Sequence, residues 1–151
     1  MIRVLVPIDV FSQLTLSATY FALEFAKRNP AKIFFLILEE PEVKTTSLKL
    51  TSEGKQWPAL FNQLLQRGRE QQVNLEIHHS QEDYLSAISQ LAEQHNIDDI
   101  IIAVPPVADQ THTHVQRLIE LLRHQVRCHI ITVKPKEVGK MLDPWGRKEK
   151  N

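Results

Sequence analysis

The sequence predicts an α/β protein built on a single doubly wound, five-stranded parallel sheet with helices on both faces. Three observations predict it. Five strand-length apolar runs recur along the chain, helical periods separate them, and no apolar run reaches the roughly 18 residues of a membrane span. Strict alternation of strand and helix calls for parallel strands joined by right-handed helical crossovers. At 151 residues the chain fits one domain, and a hydrophobic share of 42% is enough for an ordinary core.

The runs, in order, are "IRVLVPI" (2–8), "KIFFLIL" (32–38), "VNLEIHH" (73–79), "DIIIAV" (99–104) and "CHIITV" (128–133). The first, second and fourth are almost continuously apolar, as central strands covered on both faces require. The third alternates, with Val73, Leu75 and Ile77 on one face and Asn74, Glu76 and His78 on the other. That pattern predicts a half-exposed edge strand. The fifth is mixed and suits the opposite edge.

Between the runs, Leu14, Ala18, Phe21, Ala22 and Phe25 step at helical spacing, and Asn29-Pro30 stops that helix. Trp57-Pro58 is expected to open the second helix, with Leu60, Leu64 and Leu65 inward. Leu85, Ile88, Leu91 and Ala92 mark a third helix; Val115, Leu118, Ile119 and Leu122 mark a fourth. Residues 40–56 read as a long, polar, mobile connection. The domain is expected to span 1–134, with 135–151 as a tail.

Composition narrows the function classes. Charges balance at 18 of each sign, so no generic electrostatic grip on nucleic acid or anionic lipid is expected. The single cysteine, Cys128, excludes an internal disulfide framework and fits a reducing compartment. "MIRVLVPIDV" lacks the apolar run and cleavage site of a signal peptide, so a cytoplasmic location is expected.

These pieces, in this order, resemble the universal stress protein family. "VLVPIDVFS" with "LSATYFALEFAKR" is similar to that family's opening strand, acid and first helix. "EDYLSAISQLAEQHNIDDIIIAV" is similar to its third helix and fourth strand, and "LIELLRHQVRCHIITV" to its closing helix and fifth strand. The resemblance covers roughly residues 2–134 and implies the strand order 3-2-1-4-5, in agreement with the edge reading of the third run. It also implies homodimers formed along strand five, with Cys128, Ile130, Thr132 and Trp145 as candidate contacts.

In such a sheet the ligand crevice lies where strand order reverses, at the carboxyl ends of strands one and four. The candidate ligand-binding residues are therefore Pro7, Asp9, Val104, Pro105 and Ala108. The resemblance implies an ATP pattern there, Gly-x2-Gly-x9-Gly-Ser/Thr after strand four plus an acid after strand one. Asp9 matches the acid. The Gly-Ser pair falls on Val115-Gln116, and the earlier glycines fall in "PPVADQTHT" without counterpart; Gly54, Gly68, Gly139 and Gly146 all lie elsewhere. A phosphate cradle needs inward N–H groups and close backbone approach. Pro105 and Pro106 have no N–H, and Val115 adds a branched side chain. ATP binding of the family type is not expected, and no cofactor is assigned.

Asp9 either accepts hydrogen bonds from a ligand or caps the first helix. "THTH" (111–114) reads as a solvated helix start capped by Thr111 or Thr113 rather than as a metal site, since His112 and His114 diverge in a helix and zinc needs three or four converging ligands. His78 and His79 end the edge strand, too far away to help. Cys128 reads as a buried structural thiol at the start of strand five; its neighbour His129 faces the other way. Asp98-Asp99 and Glu39-Glu40 read as solvated strand ends. No nucleophile elbow or metalloprotease motif occurs, and catalysis has no support. In the tail, Met141, Leu142 and Trp145 read either as part of a soluble end or as a docking arm. The expected function is a non-enzymatic stress-response or regulatory module acting through protein contacts. The alternative is a small-ligand sensor for an adenine nucleotide.

Overall fold

The structure is a computed structural model. It describes residues 1–9, 12–39, 52–105 and 110–134, without the side chains of 52–55 and 110–112. The chain alternates β1 (Ile2–Ile8), α1 (Gln13–Arg28), β2 (Ala31–Leu38), α2 (Ser52–Glu70), β3 (Asn74–Ser80), α3 (Tyr84–His95), β4 (Asp99–Ala103), α4 (Gln110–Arg123) and β5 (His129–Val133). All the strands run parallel, in the order β3-β2-β1-β4-β5. β3 and β5 are the edges, as their mixed sequences require.

Period-two alternation sends neighbouring residues of the central strands to opposite layers. Val4, Val6 and Ile8 of β1 join Ile33, Phe35 and Ile101 under α1 and α2. Leu5 joins Phe34, Leu36, Ile100 and Ile102 under α3 and α4. Each fully buried aliphatic side chain stabilises by about 1.5–3 kcal/mol, so the unbroken apolar runs of β1, β2 and β4 hold both layers.

Local chemistry fixes the helix ends. At α1 the Ser12 N–H donates to Thr15 Oγ1 (3.0 Å), and the Thr15 hydroxyl returns a bond to the Ser12 carbonyl (3.1 Å). Asn29 closes that helix by donating both its N–H and its Nδ2 to the Phe25 carbonyl (3.0 Å each). α3 starts at the Asp83 carboxylate, which accepts from Ser86 N–H (2.8 Å), and stops at Asn96 in the left-handed conformation, φ 52°.

Four expectations need correction. α2 begins at Ser52 rather than at Trp57-Pro58, so residues 52–56 are helical and Pro58 lies inside the helix. A proline there removes one backbone bond, to the carbonyl of residue 54, and the turns on either side persist. The rest of the expected connection, 40–51, lies outside the described residues. On α1 the buried side chains are Leu16, Ala18, Thr19, Ala22 and Leu23, whereas Phe21 is 40% exposed. The helix is rolled so that Leu16 and Leu23 with Ala18, Thr19 and Ala22 meet the sheet, Tyr20 and Phe25 pack partly buried beside them, and Phe21 turns outward. Thr111 and Thr113 sit within α4, which already starts at Gln110, so neither is a cap. Cys128 precedes β5 and is half-buried rather than buried.

Candidate functional site

The site is set by a difference between the two flanks of β1. Towards β2 the pairing runs from Ile2↔Ala31 to Ile8↔Ile37 without a break. Towards β4 it covers Val4↔Asp99 and Leu5↔Ile100 alone. The Asp98 N–H donates to the Arg3 carbonyl (2.8 Å), so odd-numbered β1 residues bond on the β4 side. Continuing that pattern, the next donor on this flank would be residue 7. It is proline, has no N–H, and the ladder ends before it. No register pair joins β1 and β4 beyond Leu5, at the place in the sheet where strand order reverses and a crevice is expected.

The residues around that opening fall into two groups. Pro7, Val104 and Pro105 are buried; Asp9 is exposed. Ala108 lies outside the described residues. The Val104 N–H donates to the Val133 carbonyl (2.8 Å), which commits it to β5. Pro105 has no N–H to offer. Two successive positions after β4 thus present no free backbone donor. Val115 of α4 is half-buried and packs on the layer that contains Val104 and Leu122.

Tyr84, the first residue of α3, went unremarked in the sequence. It is partly buried against the α3–α4 layer. Burial first, and the Asp9 charge second, push its phenol well above the usual tyrosine range. It therefore stays a neutral hydroxyl near Asp9 at physiological pH. The signal that would have found it is its place just after the Asp83 cap, at the ligand-facing end of the sheet. Asp9, Glu39, Glu82 and Asp83 are all exposed at this end, a setting unfavourable to a polyanion. The N-cap of α1 is Ser12, so the capping reading of Asp9 does not hold.

Elsewhere the polar contacts are structural. Asp98 accepts from the Arg3 N–H (2.9 Å), and Arg3 Nη1 reaches the His95 carbonyl (2.9 Å). Asp99 is half-buried with His129 Nδ1 at 3.4 Å, so the pair is less solvated than expected. The Cys128 thiol donates to the Ile97 carbonyl (3.2 Å), and burial pushes it above its usual range, which argues against a nucleophile. Ile130 is half-buried and Thr132 exposed on β5; Trp145 lies outside the described residues. His78 and His79 bond to Glu76 (3.0 Å) and Glu39 (2.8 Å), away from the crevice. Among the described residues no three His, Cys, Asp or Glu side chains converge, and no helix is long and apolar enough to cross a membrane. Two surface grooves, of about 250 Å³ between α1 and α2 and about 620 Å³ beside Cys128, also lie away from the crevice.

Comparison with known proteins gives one clear match. The profile of the Universal stress protein family matches residues 1–119. No curated protein matches. Among solved structures, a universal stress protein in complex with cAMP is 14% identical, with 88% of this chain and 96% of that chain covered and a TM-score of 0.64. An Arabidopsis thaliana family protein with AMP bound is 16% identical, covering 96% and 99%, at 0.60. One from Archaeoglobus fulgidus in complex with dAMP is 12% identical, covering 89% and 98%, at 0.59. At these identities the likeness is one of fold.

Proposed function

The chain belongs to the universal stress protein family, and we propose that it is a non-enzymatic regulatory module acting through protein contacts, with a crevice that does not take a triphosphate. The observation that carries the reading is the backbone after β4. Val104 gives its amide to β5 and Pro105 has none, so the cradle that would hold phosphates lacks its donors at the point of entry. Val115 fills space that a glycine would leave open. The exposed carboxylates at this end of the sheet oppose polyanions further.

A second reading has its own support. Asp9 and the neutral Tyr84 hydroxyl are close enough for the Asp9 charge to act on the phenol, at the carboxyl end of the sheet. They suit the uncharged end of a nucleotide, and the solved relatives named above carry cAMP, AMP and dAMP. In this reading the protein senses an adenine nucleotide through its nucleoside half. The outer edge of β5 also suits pairing with a second copy, which supports a homodimer.

Isothermal titration separates the two readings. Under the first, ATP, AMP and cAMP give no binding heat. Binding of AMP or cAMP at about micromolar Kd, abolished by Asp9→Ala, replaces it with the sensor. Tight ATP binding overturns the account of the loop.

A further inference from the structure

A groove of about 620 Å³ lies between α3 and the turn that joins α4 to β5. Its walls include Ile97, just before β4, and Cys128, just before β5. It therefore opens at the amino ends of these strands, the end of the sheet opposite the crevice. The volume falls within the roughly 300–1,000 Å³ of small-ligand sites.

Sequence spacing builds the α3 wall. Ser89, Ala92, Glu93 and Asn96 follow one another at i, i+3, i+4 and i+7, which sets them on one face of the helix and its cap. Ala92 contributes only a methyl group and leaves room above it. Ala92 and Ile97 are buried and Val126 is half-buried, so the floor is apolar. Two hydrogen bonds tie the walls together, from Ser89 Oγ to Gln125 Oε1 (2.8 Å) and from Cys128 Sγ to the Ile97 carbonyl (3.2 Å). Their anchors on the α3 side stand about two helical turns apart, so the walls are fixed relative to each other in the free protein.

The rim carries charges of both signs. Glu93 is exposed in the last turn of α3, where the partial negative charge of the helix terminus adds to that of the side chain. Asp98 and Asp99 follow, and their field reaches Cys128. Arg127 is exposed on the facing wall. Among the described residues neither Glu93 nor Arg127 enters an ion pair. A simple anion would meet the acids, and a simple cation would meet Arg127. A molecule with an ammonium at one end, a carboxylate at the other and an apolar body matches both poles and the floor.

We propose that this groove binds a short apolar peptide by its free ends. The ammonium lies against Glu93 and the carboxyl end of α3, the carboxylate lies on Arg127, and the side chains cover Ala92, Ile97 and Val126. The site is separate from the crevice and does not depend on what the crevice takes.

The test uses the full chain, isotopically labelled for amide NMR, and the dipeptide leucyl-leucine. The dipeptide shifts the amide resonances of Asn96, Ile97, Arg127 and Cys128, with a Kd of about 1 mM or tighter. N-acetyl-leucyl-leucinamide, the same body without charged ends, binds about tenfold more weakly. Arg127→Gln and Glu93→Gln each weaken the dipeptide about threefold and leave the blocked form unchanged. Both side chains are exposed, so both variants keep the parent Tm. Three results overturn the proposal: no shift at about 10 mM dipeptide, equal binding of the blocked form, or shifts centred on Asp9 and Tyr84 at the crevice instead of on the groove.

Discussion

The two flanks of β1 form one strand and behave differently. Towards β2, every residue from Ile2 to Ile8 has a partner. Towards β4, pairing stops at Leu5. Apolar side chains line both flanks equally, so hydrophobicity does not explain the contrast. One missing amide hydrogen, at Pro7, does. The same shortage recurs across the gap, where Val104 bonds away from the crevice and Pro105 cannot bond at all. Prolines thus end the β1–β4 ladder on one side and remove an amide after β4 on the other, while Val104 is withdrawn by its bond to β5.

The comparison can be broken most severely on the paired flank. Phe35 faces Val6 in register, is fully buried, and meets Phe61 edge-on at 5.6 Å. Phe35→Ala should cost about 3–5 kcal/mol by chemical denaturation. A loss under about 1 kcal/mol would mean that this flank does not hold the layers together. The open flank should respond in the opposite sense. Pro7→Ala supplies a backbone donor on that side, where the register aims it at the Ile101 carbonyl. The new amide should be protected from hydrogen exchange, with stability changed by no more than about 1 kcal/mol. Exchange of that amide at the rate of a free peptide would show that something other than Pro7 ends the ladder.

The smallest effect lies at the outer side of the paired flank. Glu76 bonds to Lys32 (2.6 Å) and to His78 (3.0 Å), and these two partners, Lys32 first, lower its carboxyl from 4.5 to about 2. Because the folded value is the lower one, the contribution is complete above pH 4.5 and is lost as pH falls through about 2. Glu76→Gln should flatten that part of the Tm-versus-pH curve. An unchanged slope would remove the ion pair from the account of this edge.

Much of the fold was legible because periodicity reports burial directly. The run 2–8 is β1 to the residue, and alternation in "VNLEIHH" marked β3 as an edge. Punctuation residues were less dependable. Pro58 looked like a helix start and lies inside one, because a single lost bond does not end a helix. Phe21 fits a helical stripe, yet the buried stripe is Leu16, Ala18, Thr19, Ala22 and Leu23, and Phe21 is left partly exposed. For the site, the sequence placed Asp9 and Pro105 at the crevice. It could not give the role of Pro7, since which flank a backbone amide faces depends on the sheet register. Nor could it give Tyr84, whose nearness to Asp9 exists only once α3 is laid over the sheet.

The polar rim of β3 has a consequence for crowded solutions. Lys32 lies over the Phe34 ring at 5.2 Å and is tied to Glu76, while the His78 and His95 rings sit 5.1 Å apart above the same aromatic. A strand arriving from a misfolded neighbour would have to strip water from these ionic groups before adding to the sheet. That border is self-protecting, and fibril growth from the native protein would have to begin somewhere else.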